Sequence, residues 1–316
     1  MKKILVIGGA GYIGSHVVKA MLDAGLSVRV FDNLSTGQEI NLFGEAEFVK
    51  GDILDYDAVL EAMDGVDGVV HLAAKKAVGQ SMIDPDLYSR NNIIGTVNIL
   101  MAMSEIGVSN IVFSSSAAVY GMPQYLPLDE EHPLCPINYY GFTKLKIEEF
   151  LKWYDQLKGI KFVSLRYFNA VGYDATGAIK GREVGVENLL PVVMEVLAGK
   201  RMKLSVYGTD FETRDGTCIR DYVHVSDLAD AHVLSMQMLF DGGESQVFNL
   251  GTGNGTTVKE IVSAVEKVFE VEVNKEYSGR RAGDPAELYA SSAKAENMLG
   301  WKPKYINIDD IVRTVG

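Results

Sequence analysis

The sequence is poor in the residues that build disulfide frameworks and metal sites. It has two cysteines, Cys135 and Cys218, and its five histidines form no pair at ligand spacing. Two isolated cysteines give neither a disulfide scaffold nor a zinc motif, so the composition predicts a protein without a bound metal. Scarce cysteine is also typical of a reducing compartment, and we therefore expect a cytoplasmic protein.

Positive charge and long apolar runs are scarce as well. The chain has 30 Lys and Arg against 42 Asp and Glu, for a net charge of -12. Binding of nucleic acid needs a clustered basic face, so we exclude it as a partner, although an acidic protein can still hold a small anion at a locally basic site. No apolar run reaches the roughly 18 residues of a membrane helix. The apolar run after Lys2 and Lys3 is too short for a signal peptide, and glycine interrupts it.

What the chain does contain is a regular alternation of short apolar runs and amphipathic segments. The runs at residues 4–7, 28–31, 48–49, 68–72, 111–114 and 162–167 predict buried strands. Apolar residues at helical spacing predict helices at residues 14–24, 57–63, 86–106 and 140–157. Strands that alternate with helices form a parallel sheet covered on both faces, so we predict an α/β fold with a doubly wound sheet of the Rossmann type.

The alternation changes after Asn169. Residues 171–187, rich in glycine and charge, predict a loop, and residues 204–219 predict loops and short strands. Helices are expected at 189–198 and 223–240, of which the second could rejoin the sheet, and a strand is expected at 247–250. We therefore predict a Rossmann domain formed by residues 1–170 and about 221–250. A smaller, interwoven C-terminal lobe would comprise residues 171–220 and 251–316.

A glycine-rich turn follows the first predicted strand. The segment GGAGYIG at residues 8–14 places Gly8, Gly11 and Gly14 between that strand and the next helix. Glycines there permit a tight turn and let a pyrophosphate approach the unpaired N–H groups and positive dipole of the helix N-terminus. The usual dinucleotide fingerprint is G-x-G-x-x-G, and the first gap here is one residue longer, so a purely structural turn is the alternative.

An acidic residue, Asp32, ends the second predicted strand. A carboxylate at this place can hold both hydroxyls of the adenosine ribose and would repel a 2′-phosphate, which favours NAD over NADP. The alternative is that Asp32 only caps a turn or a helix. Together with the glycine turn, it predicts an NAD site.

The pair Tyr140 and Lys144 lies on one face of a predicted helix. Free tyrosine has a pKa of about 10, and lowering it by roughly 3 units needs about 4 kcal/mol of differential stabilisation. Lys144 and a positively charged nicotinamide could supply that, making Tyr140 a base near neutral pH. Ser116 ends a serine run at the carboxyl end of a strand, where ligands bind in open parallel sheets. A lone Tyr-x-x-x-Lys is usually a solvated pair, but downstream of the glycine turn it indicates a redox site.

These residues, over essentially the whole chain, resemble the extended short-chain dehydrogenase/reductase family. The shared segments are residues 8–15, 32–34, 51–52, 71–74, 76–79, 114–121, 138–144, 165–169 and 216–225. Within the family, KAVG at 76–79 and GTCIRDYVHV at 216–225 are most similar to the nucleotide-sugar 4-epimerases. The resemblance implies an NAD-dependent isomerase that reversibly inverts C4 of a UDP-hexose, UDP-galactose or UDP-glucose, through a transient 4-keto sugar. The alternative substrates are a UDP-N-acetylhexosamine and a UDP-uronic acid.

The resemblance also implies the role of individual residues. Tyr140 would be the base and acid at the sugar 4-hydroxyl, Lys144 would hold the nicotinamide ribose, and Ser116 would hydrogen-bond the same hydroxyl. The implied cofactor site comprises Gly8, Gly11, Tyr12, Ile13, Gly14, Asp32, Asn33, Leu34, Ser35, Thr36, Gly37, Asp52, Ile53, Leu72, Ala73, Ala74, Lys76, Asn91, Ser114, Tyr140, Lys144 and Phe168. The implied substrate site comprises Ser116, Tyr140, Asn169, Asn188, Leu189, Tyr207, Arg220, Arg281 and Asp284.

Two arginines of this set have a chemical argument of their own. The forked donors of Arg220 and Arg281 suit a diphosphate, and a surface salt bridge is the alternative for each. The resemblance further implies a homodimer formed through the helices at 86–106 and 140–157, although their apolar residues could equally pack onto the sheet.

Several positions distinguish this chain from its relatives. Ala117 and Ala118 stand where related 4,6-dehydratases carry an acidic pair and decarboxylases a glutamate, which argues against those activities. Tyr139 replaces the usual proline before the catalytic tyrosine, and the mid-sized Leu288 stands where the family tunes its pocket for N-acetylated sugars. A regulatory protein that only senses NAD is the rival from another class, but such proteins typically lose the Tyr–Lys pair, which is present here.

Overall fold

The structure is a computed structural model that describes residues 1–183, 185, 188–281 and 283–316. The first half of the chain contains the strands β1 (Lys3–Ile7), β2 (Ser27–Asp32), β3 (Glu47–Lys50), β4 (Gly68–His71), β5 (Asn110–Ser114) and β6 (Lys161–Tyr167). Its helices are α1 (Tyr12–Asp23), α2 (Tyr56–Ala62), α3 (Val78–Ser81), α4 (Pro85–Tyr88), α5 (Gly95–Ile106) and α6 (Tyr139–Lys158). A π-helical turn, Ser89–Ile94, joins α4 to α5, and 3₁₀ turns occur at Glu39–Asn41 and Ala117–Val119.

The second half contains shorter strands. They are β7 (Asn169–Val171), β8 (Leu204–Tyr207), β9 (Ile219–Arg220), β10 (Tyr222–His224), β11 (Gln246–Leu250), β12 (Thr256–Thr257), β13 (Lys275–Ser278) and β14 (Glu287–Leu288). The helices are α7 (Leu189–Leu197), α8 (Val225–Phe240), α9 (Val258–Phe269), α10 (Ala293–Leu299) and α11 (Ile308–Arg313). None of the helices among the described residues is long and apolar enough to cross a membrane.

Seven parallel strands form the central sheet in the order β11-β6-β5-β4-β1-β2-β3. The chain runs outward from β1 to β3 on one side and from β4 to β6 on the other. The strand order therefore reverses between β1 and β4, which is where ligands bind in open sheets of this kind. The predicted doubly wound α/β fold is confirmed.

Alternating side chains of β1 enter two separate cores. Ile4 and Val6 pack with α1 and α8 on one face of the sheet. Leu5 and Ile7 pack with α2, α5 and α6 on the other face. Because both faces are covered, the strand reads as a continuous apolar run, and burial of its residues fixes its register.

Helix α6 carries the Tyr–Lys pair and has a defined start. The side chain of Asn138 accepts a hydrogen bond from the Gly141 N–H at 2.8 Å, and Gly159 ends the helix in a left-handed conformation, with φ of 69°. Such caps satisfy backbone groups that a helix leaves unpaired at its ends. The start of α6, where the reactive side chain lies, is thereby fixed.

A smaller core is formed by α7, α9, α11 and neighbouring strands. Within this region the predicted helix at 223–240 is wrong at its start. Residues 222–224 form β10, which pairs in parallel with β7, and α8 begins only at Val225. The prediction failed because a short apolar run is compatible with both periodicities, and its strand partner lies far away in sequence.

The predicted loop at 171–187 is largely irregular, and its residues 184, 186 and 187 lie outside the described part of the chain.

Candidate active site

The glycine turn between β1 and α1 needs glycine for reasons of backbone packing. Gly8 has φ of 87°, and a Cβ added there would lie 2.7 Å from the Ala73 nitrogen. A Cβ on Gly14 would overlap the carbonyl oxygen of Gly8. At Gly11, by contrast, a Cβ would meet only the Gly8 oxygen, at 3.3 Å, and Gly11 provides no side-chain cap for α1. The turn is therefore tight, and the N–H groups at the start of α1 are open to a ligand.

A cavity of about 600 Å³ lies at this turn, at the carboxyl ends of the central strands. It brings together most of the residues that the sequence assigns to the cofactor and three assigned to the substrate. These residues are Gly8, Gly11, Tyr12, Ile13, Gly14, Asp32, Asn33, Ser35, Thr36, Ile53, Leu72, Ala73, Ala74, Lys76, Asn91, Ser116, Tyr140, Lys144, Phe168 and Asn188.

The other four predicted cofactor residues stand behind the lining and contact it. The Leu34 N–H donates to Asp32 at 2.8 Å, and a Cβ on Gly37 would lie 2.9 Å from the same carboxylate. Asp52 accepts a hydrogen bond from the Asn33 amide at 2.8 Å. Ser114 offers its carbonyl oxygen to Lys144 at 2.7 Å. These four residues therefore position the lining residues but do not line the cavity themselves. A match of short sequence segments does not distinguish the two groups.

The carboxylate of Asp32 is held rigidly at the end of β2. It accepts hydrogen bonds from the N–H groups of Leu34 at 2.8 Å and Ala10 at 3.0 Å. Burial raises the pKa of Asp32, and these two donors partly oppose that shift. Each oxygen keeps acceptor capacity toward the cavity, as a ribose diol requires.

Lys144 is buried beside the tyrosine of its helix. Its ammonium donates to the Ser114 carbonyl oxygen at 2.7 Å and lies 5.8 Å from the centroid of the Tyr140 ring. Burial lowers the pKa of Lys144 to about 7, and the nearby charge of Glu148 only partly opposes this. The lysine can therefore change its charge close to neutral pH.

Tyr140 is anchored through its backbone, since its N–H donates to the Ser81 hydroxyl at 3.1 Å. Burial, and to a smaller extent Tyr167, raise the pKa of Tyr140 above its ordinary value, and a hydrogen bond with Ser116 partly opposes them. The protein's own groups thus do not supply the lowering that the sequence assigns in part to Lys144. The physical reason is that desolvation of the buried phenol exceeds the effect of the Ser116 hydrogen bond, while the Lys144 ammonium donates to the Ser114 carbonyl oxygen.

Of the serine run at the end of β5, two side chains lie in the interior and one lies at the cavity. The Ser114 hydroxyl bonds to Nε2 of His232 at 2.8 Å, and the Ser115 hydroxyl donates to Glu148 at 2.6 Å. Ser116 instead lines the cavity and also accepts from the Ala118 N–H at 3.2 Å. Of the three serine side chains, only that of Ser116 therefore lies at the cavity, and its contact with the substrate stays a prediction.

A buried ion pair lies directly behind this run. Arg166 contacts both carboxylate oxygens of Glu148, at 3.0 and 2.6 Å, and donates to the Tyr120 hydroxyl at 3.0 Å. Although burial by itself lowers the pKa of Arg166, the hydrogen bonds and charge of Glu148 raise it above its usual value. Glu148 lies on the same helix as Lys144 and accepts a hydrogen bond from Ser115, so the charged pair connects this helix to the serine run.

The predicted diphosphate residues gather in a second cluster, outside the cavity lining. Arg220 forms an ion pair with Asp284, and the Arg281 guanidinium lies 3.9 Å from the centroid of the Tyr207 ring. The charges of Arg220, Asp284 and Arg281 all act on the thiol of Cys218. For Arg220, the salt bridge weighed as the alternative is present, but its acidic partner is itself a predicted substrate residue.

Asn169 and Leu189 also stand outside the lining. The Asn169 amide donates to the Asp221 carbonyl oxygen at 3.0 Å, and Leu189 opens α7 and packs on the smaller core. Several lining residues were not predicted from the sequence, namely Gln38, Asn41, Gly51, Lys75, Gln80, Ala118, Tyr167, Arg182 and Glu183. Lys75 had a usable signal, since it adjoins Lys76. Arg182 and Glu183 lie in a loop that offers none.

Metal-binding chemistry has no support among the described residues, where no group of three His, Cys, Asp or Glu side chains could hold an ion. Cys135 is exposed, Cys218 is buried, and both are free thiols.

The cavity residues fit a dinucleotide. The open N-terminus of α1 at Gly11 suits a pyrophosphate, and Asp32 suits a ribose. The volume of about 600 Å³ lies within the range of ligand pockets. A Rossmann sheet with this site and a Tyr–Lys–Ser set defines an enzyme of the nicotinamide-dependent class.

Comparison with known proteins supports the assignment to this class of enzyme. The model of the NAD dependent epimerase/dehydratase family matches residues 4–251, and the chain belongs to that family. The cofactor predicted from Asp32 and the glycine turn, NAD, is confirmed, as is the resemblance to the sugar-nucleotide epimerases.

Three similar proteins illustrate the similarity. The UDP-glucose 4-epimerase of Lacticaseibacillus casei is 46% identical over 313 residues, covering 98% of this chain and 95% of the relative. The crystal structure of UDP-glucose 4-epimerase from Brucella ovis in complex with NAD has a TM-score of 0.97 and 44% identity, covering 99% of this chain and 97% of that one. The UDP-Glc/GlcNAc 4-epimerase of Campylobacter jejuni has a TM-score of 0.88 and 39% identity, covering 99% and 98% of the two chains.

Proposed function

We propose that this chain reversibly inverts C4 of a UDP-hexose and interconverts UDP-galactose and UDP-glucose. One observation carries the proposal: Tyr140, Ser116 and Lys144 meet in the same cavity as the open N-terminus of α1 and the Asp32 carboxylate. The similarity to UDP-glucose 4-epimerases, at 46% identity over nearly the whole chain, supports this substrate over its N-acetylated and uronic counterparts.

In this reaction, bound NAD supplies the reversible oxidation at C4. The Tyr140 phenolate accepts the proton of the 4-hydroxyl, the Ser116 hydroxyl hydrogen-bonds the same oxygen, and Lys144 holds the nicotinamide ribose. The resulting 4-keto sugar rotates so that it presents its other face. Tyr140 returns the proton to the oxygen once C4 has been reduced on that face. Atoms and electrons balance within one turnover, so no outside oxidant is needed.

Bound NAD would have to supply the lowering of the Tyr140 pKa that the protein's own groups do not provide. Burial raises the pKa of Tyr140 and lowers that of Lys144 to about 7. A neighbouring positive charge favours phenolate, so an oxidised nicotinamide would counter the burial of Tyr140. Tyr140 would then be most readily deprotonated while the cofactor is oxidised, which is the state in which it must accept the proton of the 4-hydroxyl.

The wall beside the catalytic groups supports epimerisation over elimination. Ala118 lines the cavity and Ala117 is buried next to it. Elimination of water across C5 and C6 requires an acid at this wall. Two methyl groups cannot donate a proton, which favours an enzyme that acts at C4 alone.

We assign the second cluster to the nucleotide half of the substrate. Arg220 and Arg281 would grip the diphosphate, and Asp284 would hold the uridine ribose. Asn169, Asn188, Leu189 and Tyr207 would line the path toward C4. Binding energy at the remote diphosphate can then position the sugar while leaving the hexose free to turn over.

The same assignment divides the chain. The NAD-binding Rossmann domain would comprise residues 1–170 and about 221–250, and the substrate lobe residues 171–220 and 251–316. The separate core of α7, α9 and α11 supports this division.

We further propose a cytoplasmic homodimer that acts in galactose metabolism. Its interface would lie on α5 and α6. Five large apolar side chains exposed on these helices support this surface, namely Met101, Ile106, Phe142, Trp153 and Leu157.

The test is conversion of UDP-galactose by the purified protein without added NAD, followed by chromatography of UDP-glucose. We expect conversion, and we expect Tyr140→Phe to reduce it by at least about a thousandfold, because the proton acceptor is lost. Tyr139→Phe is the matched control, since it removes the neighbouring hydroxyl, which bonds Ser89 at 2.7 Å, and should retain activity. Conversion only of N-acetylated or uronic substrates would disprove the proposed specificity, and full activity of Tyr140→Phe would disprove the mechanism.

A further inference from the structure

A short segment, residues 181–183, crosses between two walls of the cofactor cavity. We call it the clasp. On the side of β2, the Gly181 N–H donates to the Asn41 amide oxygen at 2.7 Å, and the Gln38 amide donates to the Arg182 carbonyl oxygen. The Asn41 amide also donates to the Ala10 carbonyl oxygen at 3.3 Å. One end of the clasp is therefore tied to the glycine turn itself.

The other end reaches the loop that follows β4. There the Glu183 carboxylate forms an ion pair with the Lys76 ammonium. The Glu183 N–H donates to the Tyr173 hydroxyl at 3.0 Å, which fixes the backbone at this point. Strands β2 and β4 flank β1 on opposite sides, so the two anchors stand on opposite walls of the site. Gln38, Asn41, Lys76, Arg182 and Glu183 all line the cavity.

Glu183 has a polar atom that its protein surroundings do not satisfy. Its side chain is only 4% exposed, while that of Lys76 is 57% exposed. Among the described residues, its Oε2 atom is buried and has no hydrogen-bond partner. A buried carboxylate oxygen without a donor is costly, so this atom calls for a hydrogen bond from a molecule in the cavity.

We propose that Glu183 retains the cofactor. One carboxylate oxygen pairs with Lys76 across the cavity, and the other accepts a hydrogen bond from a hydroxyl or amide N–H of bound NAD. The proposal rests on the NAD dependence of the family and not on the identity of the sugar. Retention matters here because the reaction has no net oxidation, so the same cofactor must stay in place for both halves of a turnover.

The test measures the release of NAD from the purified holoenzyme. Released NAD is trapped by alcohol dehydrogenase with ethanol and followed as NADH absorbance, and the NAD content of each preparation is determined after denaturation. We expect Glu183→Ala to release NAD about tenfold faster, because it loses an ion pair with one buried partner and an acceptor. Glu183→Gln keeps an acceptor but loses the charge, and we expect an intermediate rate.

Glu276→Ala is the matched control, since it removes a glutamate from the exposed ion pair with Lys203, away from the cavity. We expect it to release NAD at the parent rate. Equal release from Glu183→Ala and the parent would overturn the proposal, as would equal acceleration in the control. If Glu183→Ala does not fold, the size-matched Glu183→Gln decides, and a parent-like rate there overturns the proposal. The readout needs no sugar, so a failure of the substrate assignment would leave it interpretable.

Discussion

The buried pair of Glu148 and Arg166 should be among the most sensitive points of the molecule. Glu148 is fully buried and Arg166 is 2% exposed, with their closest contact at 2.6 Å. Glu148→Gln preserves the shape and the acceptor for the Ser115 hydroxyl, but it leaves the Arg166 charge uncompensated. Breaking a buried pair on one side costs about 3–5 kcal/mol. Since domains are stable by about 5–15 kcal/mol, we expect a large part of the free energy of unfolding to be lost.

The magnitude is measured by urea unfolding with linear extrapolation. NAD is kept at one saturating concentration in every sample, because ligand binding adds its own stability. The informative set is Glu148→Gln, Arg166→Met and the double variant, which together form a double-mutant cycle. In the double variant neither charge of the pair remains buried, so we expect it to regain more than half of the loss seen in either single variant.

Two results would refute this reasoning. One is a loss below about 1 kcal/mol in both single variants, which would mean that water or other groups solvate the charges. The other is additivity, in which the double variant loses the sum of the two single losses. Either result would show that Glu148 and Arg166 do not act as a pair.

Two further predictions concern Lys144 and the glycine turn. Since folding lowers the pKa of Lys144 from 10.5 to about 7, the unfolded chain binds more protons between these values. The free energy of unfolding of the NAD-free protein should therefore rise from pH 7 toward pH 10 relative to that of Lys144→Met. If urea unfolding gives the same difference between the two proteins at every pH, the shift in the Lys144 pKa is contradicted. Gly14→Ala should lower the thermal unfolding temperature strongly, because its Cβ overlaps the Gly8 oxygen, whereas Gly11→Ala should keep the fold and weaken NAD binding. Equal thermal stability of the two variants would contradict this distinction.

Local patterns predicted the parts of the site that lie on regular elements. The glycine turn, Asp32 and the Tyr140–Lys144 pair each depend on spacing within one strand or helix, and the cavity contains all of them. The start of α8 was misjudged because the pairing of β10 with β7 is non-local. Arg182 and Glu183 escaped notice because an irregular loop has no periodicity from which a position can be inferred.

The direction of individual side chains was the second feature of the site that the sequence did not predict. In the serine run, only Ser116 faces the cavity, while Ser114 and Ser115 bond to His232 and Glu148 in the interior. Strand alternation predicts that neighbours differ in direction, but it does not say which of them faces the ligand. That depends on the helices that cover each face.

The π-helical turn Ser89–Ile94 has a consequence for how one helical region serves two surfaces. The predicted single helix at 86–106 is interrupted here by a wider turn, which carries Asn91 into the cavity and Asn92 onto the backbone of Lys75, at 2.8 and 3.0 Å. Beyond it, α5 turns Ile99 and Leu100 into the core. Successive residues of an α-helix are rotated by about 100° around its axis. Deleting one residue from this turn would therefore restore a regular helix, but it would also change the direction of the side chains on one side of the deletion. Either the two asparagines would turn away from the cofactor loop or the apolar face of α5 would turn away from the sheet. The wider turn acts as a fixed angular offset, which lets the polar and apolar positions of one continuous segment each meet their own partner.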